Sequence, residues 1–286
     1  MDLEKGCDGM INHIADTVEL NNGVRMPGLG LGVYKVEEGD EVERALHSAL
    51  KIGYRSIDTA ALYANEVGVG RAIRASGVAR REIFITTKVW NSDQGYEATR
   101  DAFARSRERL GVDYVDLYLI HWPVPGKYLE TWRALEDLYR DGAVRAIGVS
   151  NFQIHHLQDI AGASRVIPAV NQVEYHPFLS QAPLRDYCRA HGIYLEAWSP
   201  LMRGGDILQN PVIREIAQAH GKTPAQVVLR WDLEHKVITI PKSVTVERIR
   251  ENADLFDFAL SAEEIGRIDG LNRDQRIGPD PDNFDF

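Results

Sequence analysis

The stretch "YRSIDTAALYANE", residues 54–66, decides how the chain is read. A short apolar run closes on an acid, Asp58, and a tyrosine, Tyr63, follows five positions later in a segment without clear period. Just upstream, "EVERALHSALKIG" (41–53) repeats apolar residues at helical spacing through Val42, Ala45, Leu46 and Ile52, and Gly53 supplies a helix stop. A helix followed by a short strand with a polar end is a unit, and the chain repeats it.

Strand-length runs recur at 28–34, 54–58, 83–89, 114–121, 144–150, 169–175, 194–199 and 237–243. Helix-length segments separate them. "TRDAFARSRERLG" ends at Gly111, and "AQVVLRWDLEH" follows Thr223-Pro224, a cap and first-turn proline. Strands that alternate with helices pair in parallel through crossovers. Eight such units in 286 residues favour a closed (β/α)8 TIM barrel over an open doubly wound sheet. Before them, "TVELNNGVRMP" reads as a hairpin around Asn22-Gly23 that closes the N-terminal end of the barrel. Residues 1–16 read as a flexible tail and 17–286 as one domain, since no low-complexity linker interrupts the series.

Composition narrows the class. The net charge of −9 argues against nucleic acid, whose phosphates need clustered Lys and Arg. Cys7 and Cys188 form no CxxC pair, so neither a disulfide framework nor a zinc framework is expected. The N-terminal residues lack a basic start and a signal-length apolar stretch, and no run approaches the ~18 residues of a membrane span. The expectation is a soluble, cytoplasmic monomer.

In a barrel, chemistry gathers at the C-terminal ends of the strands. Here those ends carry Asp58, Lys88, His121, Ser150-Asn151, Gln172, Trp198 and Lys242-Ser243. Each alone has a plain reading: a helix cap, a solvated strand end, a structural histidine, a packing tyrosine. The barrel predicts that they converge. A lysine beside a phenol favours the phenolate and lowers its pKa, and a carboxylate holds that lysine charged. A histidine nearby can donate to a carbonyl oxygen. Asp58, Tyr63, Lys88 and His121 therefore make a proton-delivery device without a nucleophile or a metal set. Electrons must come from elsewhere. At the last strand, "IPKSVTVERIREN" (240–252) sets Lys242, Ser243 and Thr245 before a helix that contains Arg248, a pattern suited to the extra phosphate of NADP. A Rossmann site is disfavoured: "GLGLGV" and "GVGRAI" carry Val33 and Ile73 where the third glycine belongs. His155-His156 and His176 show no metal-ligand spacing and read as surface or packing residues.

The motifs "GYRSIDTAALYANEVGVG", "FITTKVWN", "DLYLIHWP", "RAIGVSNF", "VNQVEYHP", "EAWSPL" and "IPKSVTVERIREN", in this order, resemble the aldo-keto reductase superfamily from about Thr17 onward. Within it, "NSDQGYE", "SNFQIHHL" and "RIGPDPDNFDF" look similar to the bacterial glyoxal/methylglyoxal reductases. The resemblance implies reduction of small carbonyl compounds with NADPH. It implies Tyr63 as general acid, Lys88 and Asp58 as the pair that tunes it, and His121 as the group that orients the carbonyl. Ser150, Asn151 and Gln172 match nicotinamide contacts, and Trp198 the stacking aromatic. Lys242, Ser243 and Arg248 match the 2′-phosphate clamp, and Glu251 and Asn252 adenine contacts. Ser199, Leu201, Arg203 and Val244 complete the implied cofactor track, while Tyr34, Trp90 and Trp122 match the walls of the substrate pocket. "SPLMRGG" departs from the usual "SPLG", and a short tail after Leu271 implies a shallow, open pocket. Two rivals stand beside this reading: a barrel aldolase with Lys88 as Schiff base, and a cofactor-binding regulatory subunit.

Overall fold

The computed structural model describes residues 11–286. Strands β1 (Thr17–Glu19) and β2 (Arg25–Pro27) form the hairpin, with Val18 opposite Met26 and Gly23 in the turn at φ 83°. Asn21 donates to the Pro168 carbonyl at 3.1 Å and Asn22 to that of Arg145 at 2.9 Å. Both acceptors lie where barrel strands begin, so the hairpin covers the N-terminal end. Of the tail expected at 1–16, the first ten residues lie outside the described part. Packing begins at Ile11, which is buried.

Eight parallel strands follow: β3 (Leu31–Gly32), β4 (Ser56–Asp58), β5 (Phe84–Val89), β6 (Val115–Ile120), β7 (Val144–Ser150), β8 (Val170–Glu174), β9 (Tyr194–Trp198) and β10 (Ile238–Thr239). They pair in sequence order. The edges β3 and β10 then meet through parallel bridges Leu29–Thr239 and Gly32–Lys242, and Gly30 donates to the Thr239 carbonyl at 3.0 Å. The sheet closes on itself, the (β/α)8 barrel expected. The apolar runs at 28–34 and 237–243 shrink to two-residue strands at this seam. Close approach explains the glycine there: a Cβ on Gly32 would lie 2.9 Å from the Ile240 carbonyl oxygen.

The helices are α1 (Asp40–Ile52), α2 (Glu66–Ala75), α3 (Tyr96–Leu110), α4 (Tyr128–Arg140), α5 (Ile154–Ala163), α6 (Ala182–Ala190), α7 (Pro211–His220), α8 (Pro224–Glu234), α9 (Val246–Ala253) and α10 (Ala262–Asp269). Val42, Ala45, Leu46, Ala49 and Leu50 of α1 are buried, one face of a helix turned to the sheet. Thr223 caps α8 by accepting from the Gln226 amide, as its position before Pro224 predicts. Gly111 ends α3 in the left-handed conformation.

Alternation along the strands sorts two cores. Ile57, Ile85, Tyr118 and Val149 are buried, and residues one step away from such positions turn to the barrel interior. Gln172 on β8 donates to Asp58 on β4 at 2.8 Å. Those strands lie four apart in an eight-membered ring, so this bond crosses the barrel from wall to wall. The upper interior is therefore polar.

Candidate active site

Lys88 leaves the end of β5 and is completely buried. Its ammonium donates to Asp58 Oδ1 at 2.7 Å, to the Thr59 carbonyl at 3.0 Å and to the Tyr63 hydroxyl at 3.2 Å. Three acceptors satisfy three N–H groups. Tyr63 reaches Lys88 because its loop folds back. Residues Ala61–Tyr63 make one tight turn, and Ala64 stops it in the left-handed conformation at φ 56°. Asn65 then nails the loop down: it accepts from Thr59 Oγ1 at 2.7 Å and donates to the carbonyls of Val33 and Val36 at 2.9 and 3.0 Å. Asn65 belongs to none of the strand-end positions singled out in the sequence. The signal was present, a polar residue bracketed by Ala64 and Glu66 directly before a helix.

The electrostatics differ from expectation at the phenol. Burial pushes Tyr63 up to about 12, with Lys88 pulling down and Asp58 pushing up. The expected lowering below the ordinary tyrosine value does not occur, because desolvation outweighs the one ammonium. The hydroxyl keeps its proton, as an acid must before it acts. For Lys88, burial opposes the charge, but Asp58 and Tyr63 prevail and raise its pKa. His121 is held well below its usual value by burial and by Lys88, so the imidazole is neutral. Its Nδ1 is buried without a partner among the described residues, and its ring stands edge-on to Tyr63 and Trp90 at 5.7 and 5.0 Å.

Beside this set lies a second cluster. Ser150 donates to the Gln172 carbonyl at 2.8 Å. Asn151, left-handed at φ 65°, donates to the His121 carbonyl at 3.0 Å and accepts from Trp198 Nε1 at 2.8 Å. Gln172 Nε2 donates to Asp58 Oδ2 and, at 2.7 Å, to Glu196 Oε2. Glu196 was read only as part of an apolar run. Its two-residue step from Trp198 and Tyr194 was the signal that it faces inward.

The rest of the implied cofactor track runs along the rim. Ser199, Met202 and Arg203 take positive φ of 50°, 47° and 58°. Leu201 is half-buried, Met202 is buried, and Arg203 is exposed. Lys242, joined to Gly32 at the seam, and Arg248 in the first turn of α9 are exposed and have no ion pair among the described residues. Ser243 accepts from the Thr245 amide at 3.2 Å, and Val244 is half-buried. Glu251 accepts from Thr223 Oγ1 at 2.7 Å, and Asn252 is buried.

At the mouth, Tyr34 faces Tyr63 at 5.0 Å and is 44% exposed. The pocket is less open than its short loops imply. Phe286 stacks parallel on Trp90 at 5.9 Å, and Phe284 and Phe286 both pack on Trp122 at 5.2 Å. The tail is short, but its aromatic rings carry enough apolar area to fold it back over the rim. Upstream in that tail, Glu174 binds the amides of Ile277 and Gly278 at 2.7 and 2.9 Å. Asp282 also meets His155 at 3.2 Å and His156 at 3.7 Å, an assembly invisible in sequence because Asp282 is remote. His156 Nδ1 accepts from the Gln153 amide, so its Nε2 carries the proton and points a donor at Asp282. At 3.7 Å that donor stops short of a hydrogen bond.

A closed (β/α)8 barrel with Asp, Tyr, Lys and His converging at the C-terminal ends of its strands defines an aldo-keto reductase. The Aldo/keto reductase family pattern matches residues 28–273, and the chain belongs to that family. Among its relatives, glyoxal reductase of Bacillus subtilis is 60% identical over 97% of this chain and 100% of its own. Methylglyoxal reductase DkgA of Salmonella typhimurium is 49% identical over 93% of this chain and 97% of its own. Among solved structures, a variant of Gox0644 in complex with NADPH superposes with a TM-score of 0.90 at 45% identity, covering 94% of this chain and 98% of that one.

Proposed function

We propose that this protein reduces aldehydes, dicarbonyls of the methylglyoxal kind and some ketones to alcohols, with NADPH as reductant and Tyr63 as general acid. The observation that carries the proposal is the unbroken run from Asp58 through Lys88 to the Tyr63 hydroxyl, at 2.7 and 3.2 Å.

The residues fit a phosphorylated dinucleotide. Lys242 and Arg248 are exposed cations without an ion pair among the described residues, at a strand-to-helix junction where the amides of α9 add to their pull on a phosphate. Both N–H groups of the Gln172 amide are taken by carboxylates, which leaves its oxygen for a carboxamide N–H. NADPH, when bound, supplies the hydride. The chain supplies the proton. Tyr63 gives its proton to the carbonyl oxygen as charge develops there, and the fixed ammonium of Lys88 stabilises the phenolate left behind. Neutral His121 offers an N–H to the same oxygen and so fixes which way the carbonyl points. Asp58 keeps Lys88 charged through the cycle. Trp90, Trp122 and Tyr34 give an aromatic wall suited to small substrates rather than long chains.

The glyoxal and methylglyoxal reductase activities of the relatives support dicarbonyls as the substrate class, and the NADPH complex of Gox0644 supports the choice of cofactor. The aldolase reading is disfavoured, since a Schiff base needs a neutral amine and Asp58 holds Lys88 protonated. Borohydride trapping with a carbonyl substrate leaves Lys88 unlabelled if the reductase reading holds. The direct test is coenzyme oxidation over a panel of glyoxal, methylglyoxal, simple aldehydes and ketones, run with NADPH and with NADH. The expected result is carbonyl-dependent oxidation that favours NADPH. Coenzyme binding without turnover on any member would overturn it in favour of the regulatory subunit.

A further inference from the structure

We propose that Glu196 is a positioning residue for the carbonyl chemistry: lodged inside the barrel next to Asp58, it orients the Gln172 amide and, by keeping or losing its proton, sets the alkaline limit of activity. This rests on the Tyr63 reading above.

Glu196 sits mid-strand on β9 with 0% exposure. Its Oε2 accepts from Gln172 Nε2 at 2.7 Å, and its Oε1 is buried with no partner among the described residues. The same nitrogen donates its other N–H to Asp58 Oδ2 at 2.8 Å. The Asp58 carboxylate can only accept, so it forbids a flip that would set the amide oxygen against it, and Glu196 Oε2 holds the second N–H in the same sense. Glu196 is thus half of the clamp that decides which atom Gln172 offers to a ligand.

The charge balance makes the clamp a switch. Asp58 faces Glu196 from β4, Lys88 from β5 and Gln172 from β8, while the β10 residue in register with it is Ile238. One ammonium serves two carboxylates, and Lys88 hydrogen-bonds Asp58 rather than Glu196. An ionised Glu196 would be a buried anion with one of its oxygens bare, which is costly unless the group stays protonated. Burial and Asp58 push it up to about 8, against the opposing pull of Gln172 and Lys88. Below that pH the cluster holds one anion beside one cation. Above it a second anion enters, the Tyr63 phenolate becomes harder to form, and proton delivery weakens.

The experiment is kcat/KM for NADPH-dependent reduction of methylglyoxal from about pH 6 to about pH 10 in the native enzyme, Glu196→Gln and Tyr63→Phe. Glutamine imitates the protonated acid and cannot ionise. The native enzyme is expected to lose activity with a midpoint near 8, and Glu196→Gln to move that midpoint up by about one unit or more. An unchanged midpoint overturns the proposal. A second reading needs no coenzyme: melting temperature against pH for the coenzyme-free proteins. The native protein should lose stability from about pH 5 to about pH 8, and the Glu196→Gln profile should be shallower, the remaining slope belonging to buried Asp232. A constant offset between the two profiles indicates a purely structural glutamate and overturns the proposal. If the variant does not fold, the infrared carbonyl band of a protonated carboxylic acid decides in Asp232→Asn, since burial also keeps Asp232 protonated: persistence at neutral pH there supports the proposal, absence overturns it. Tyr63→Phe separates the two readings, because retained turnover there removes the acid while the melting profiles still report on Glu196.

Discussion

Asp58 accepts from Lys88 with one oxygen and from Gln172 with the other, so one buried carboxylate joins the proton-delivery set to the amide expected to meet the nicotinamide. Removing its cation leaves that carboxylate stranded. Lys88→Met should therefore destabilise the fold by about 3–5 kcal/mol, measured by urea unfolding, in addition to abolishing turnover. A loss below about 1 kcal/mol would mean that the pair behaves like an exposed one. At this scale the sequence was most legible where chemistry-bearing residues close apolar runs: Asp58, Lys88, His121, Ser150, Asn151 and Gln172 all meet at one mouth. Two things were not legible. The sign of the Tyr63 shift depends on desolvation, which needs the packed ring, and spacing shows only that an ammonium is near. Glu196 hid because the roles in "YLEAWS" fell to Trp198 and Ser199, and only Gln172 on the neighbouring strand β8 gives the glutamate a partner.

Loops and helices place these groups, and their requirements are specific. Asn65 replaces regular structure by bonding Thr59, Val33 and Val36 at once, which fixes the loop that carries Tyr63. Asn65→Ala leaves buried carbonyls without donors. It should lower kcat by about tenfold or more, a 1.4 kcal/mol effect on the barrier, while leaving the coenzyme Kd within about twofold. A change confined to KM would instead place Asn65 in substrate binding. Helix packing sets another limit. A Cβ on Gly70 of α2 would lie 2.0 Å from the Leu110 carbonyl oxygen of α3. Gly70→Ala should cost about 1–3 kcal/mol of stability despite the better helix propensity of alanine, read as a lower urea midpoint. The strands and the helices at 41–53, 99–111 and 223–235 were readable because periodicity and caps are local. The two-residue strands at the barrel seam were not, since their ends are set by where the sheet meets itself.

As a whole, the molecule is an acidic protein with a net charge of −9, yet it is expected to hold a polyanion. The local field at Lys242 and Arg248 must therefore outweigh the global one. Lys242→Ala combined with Arg248→Ala should raise the KM for NADPH by about tenfold or more and leave the KM for NADH nearly unchanged. Equal losses for both coenzymes would contradict a phosphate clamp. The barrel followed from strand count and alternation and its bottom hairpin from the Asn22-Gly23 turn, whereas the return of the tail over Trp90 and Trp122 did not, because a short aromatic segment carries no sign of where it lands. The central claim is that Tyr63 delivers the proton, and the most direct measurement compares single-turnover NADPH oxidation with methylglyoxal in native protein and Tyr63→Phe, alongside the NADPH Kd of each. The expected result is a rate lower by about 10²–10⁴-fold with Kd changed less than about threefold; a Tyr63→Phe rate close to native contradicts the account.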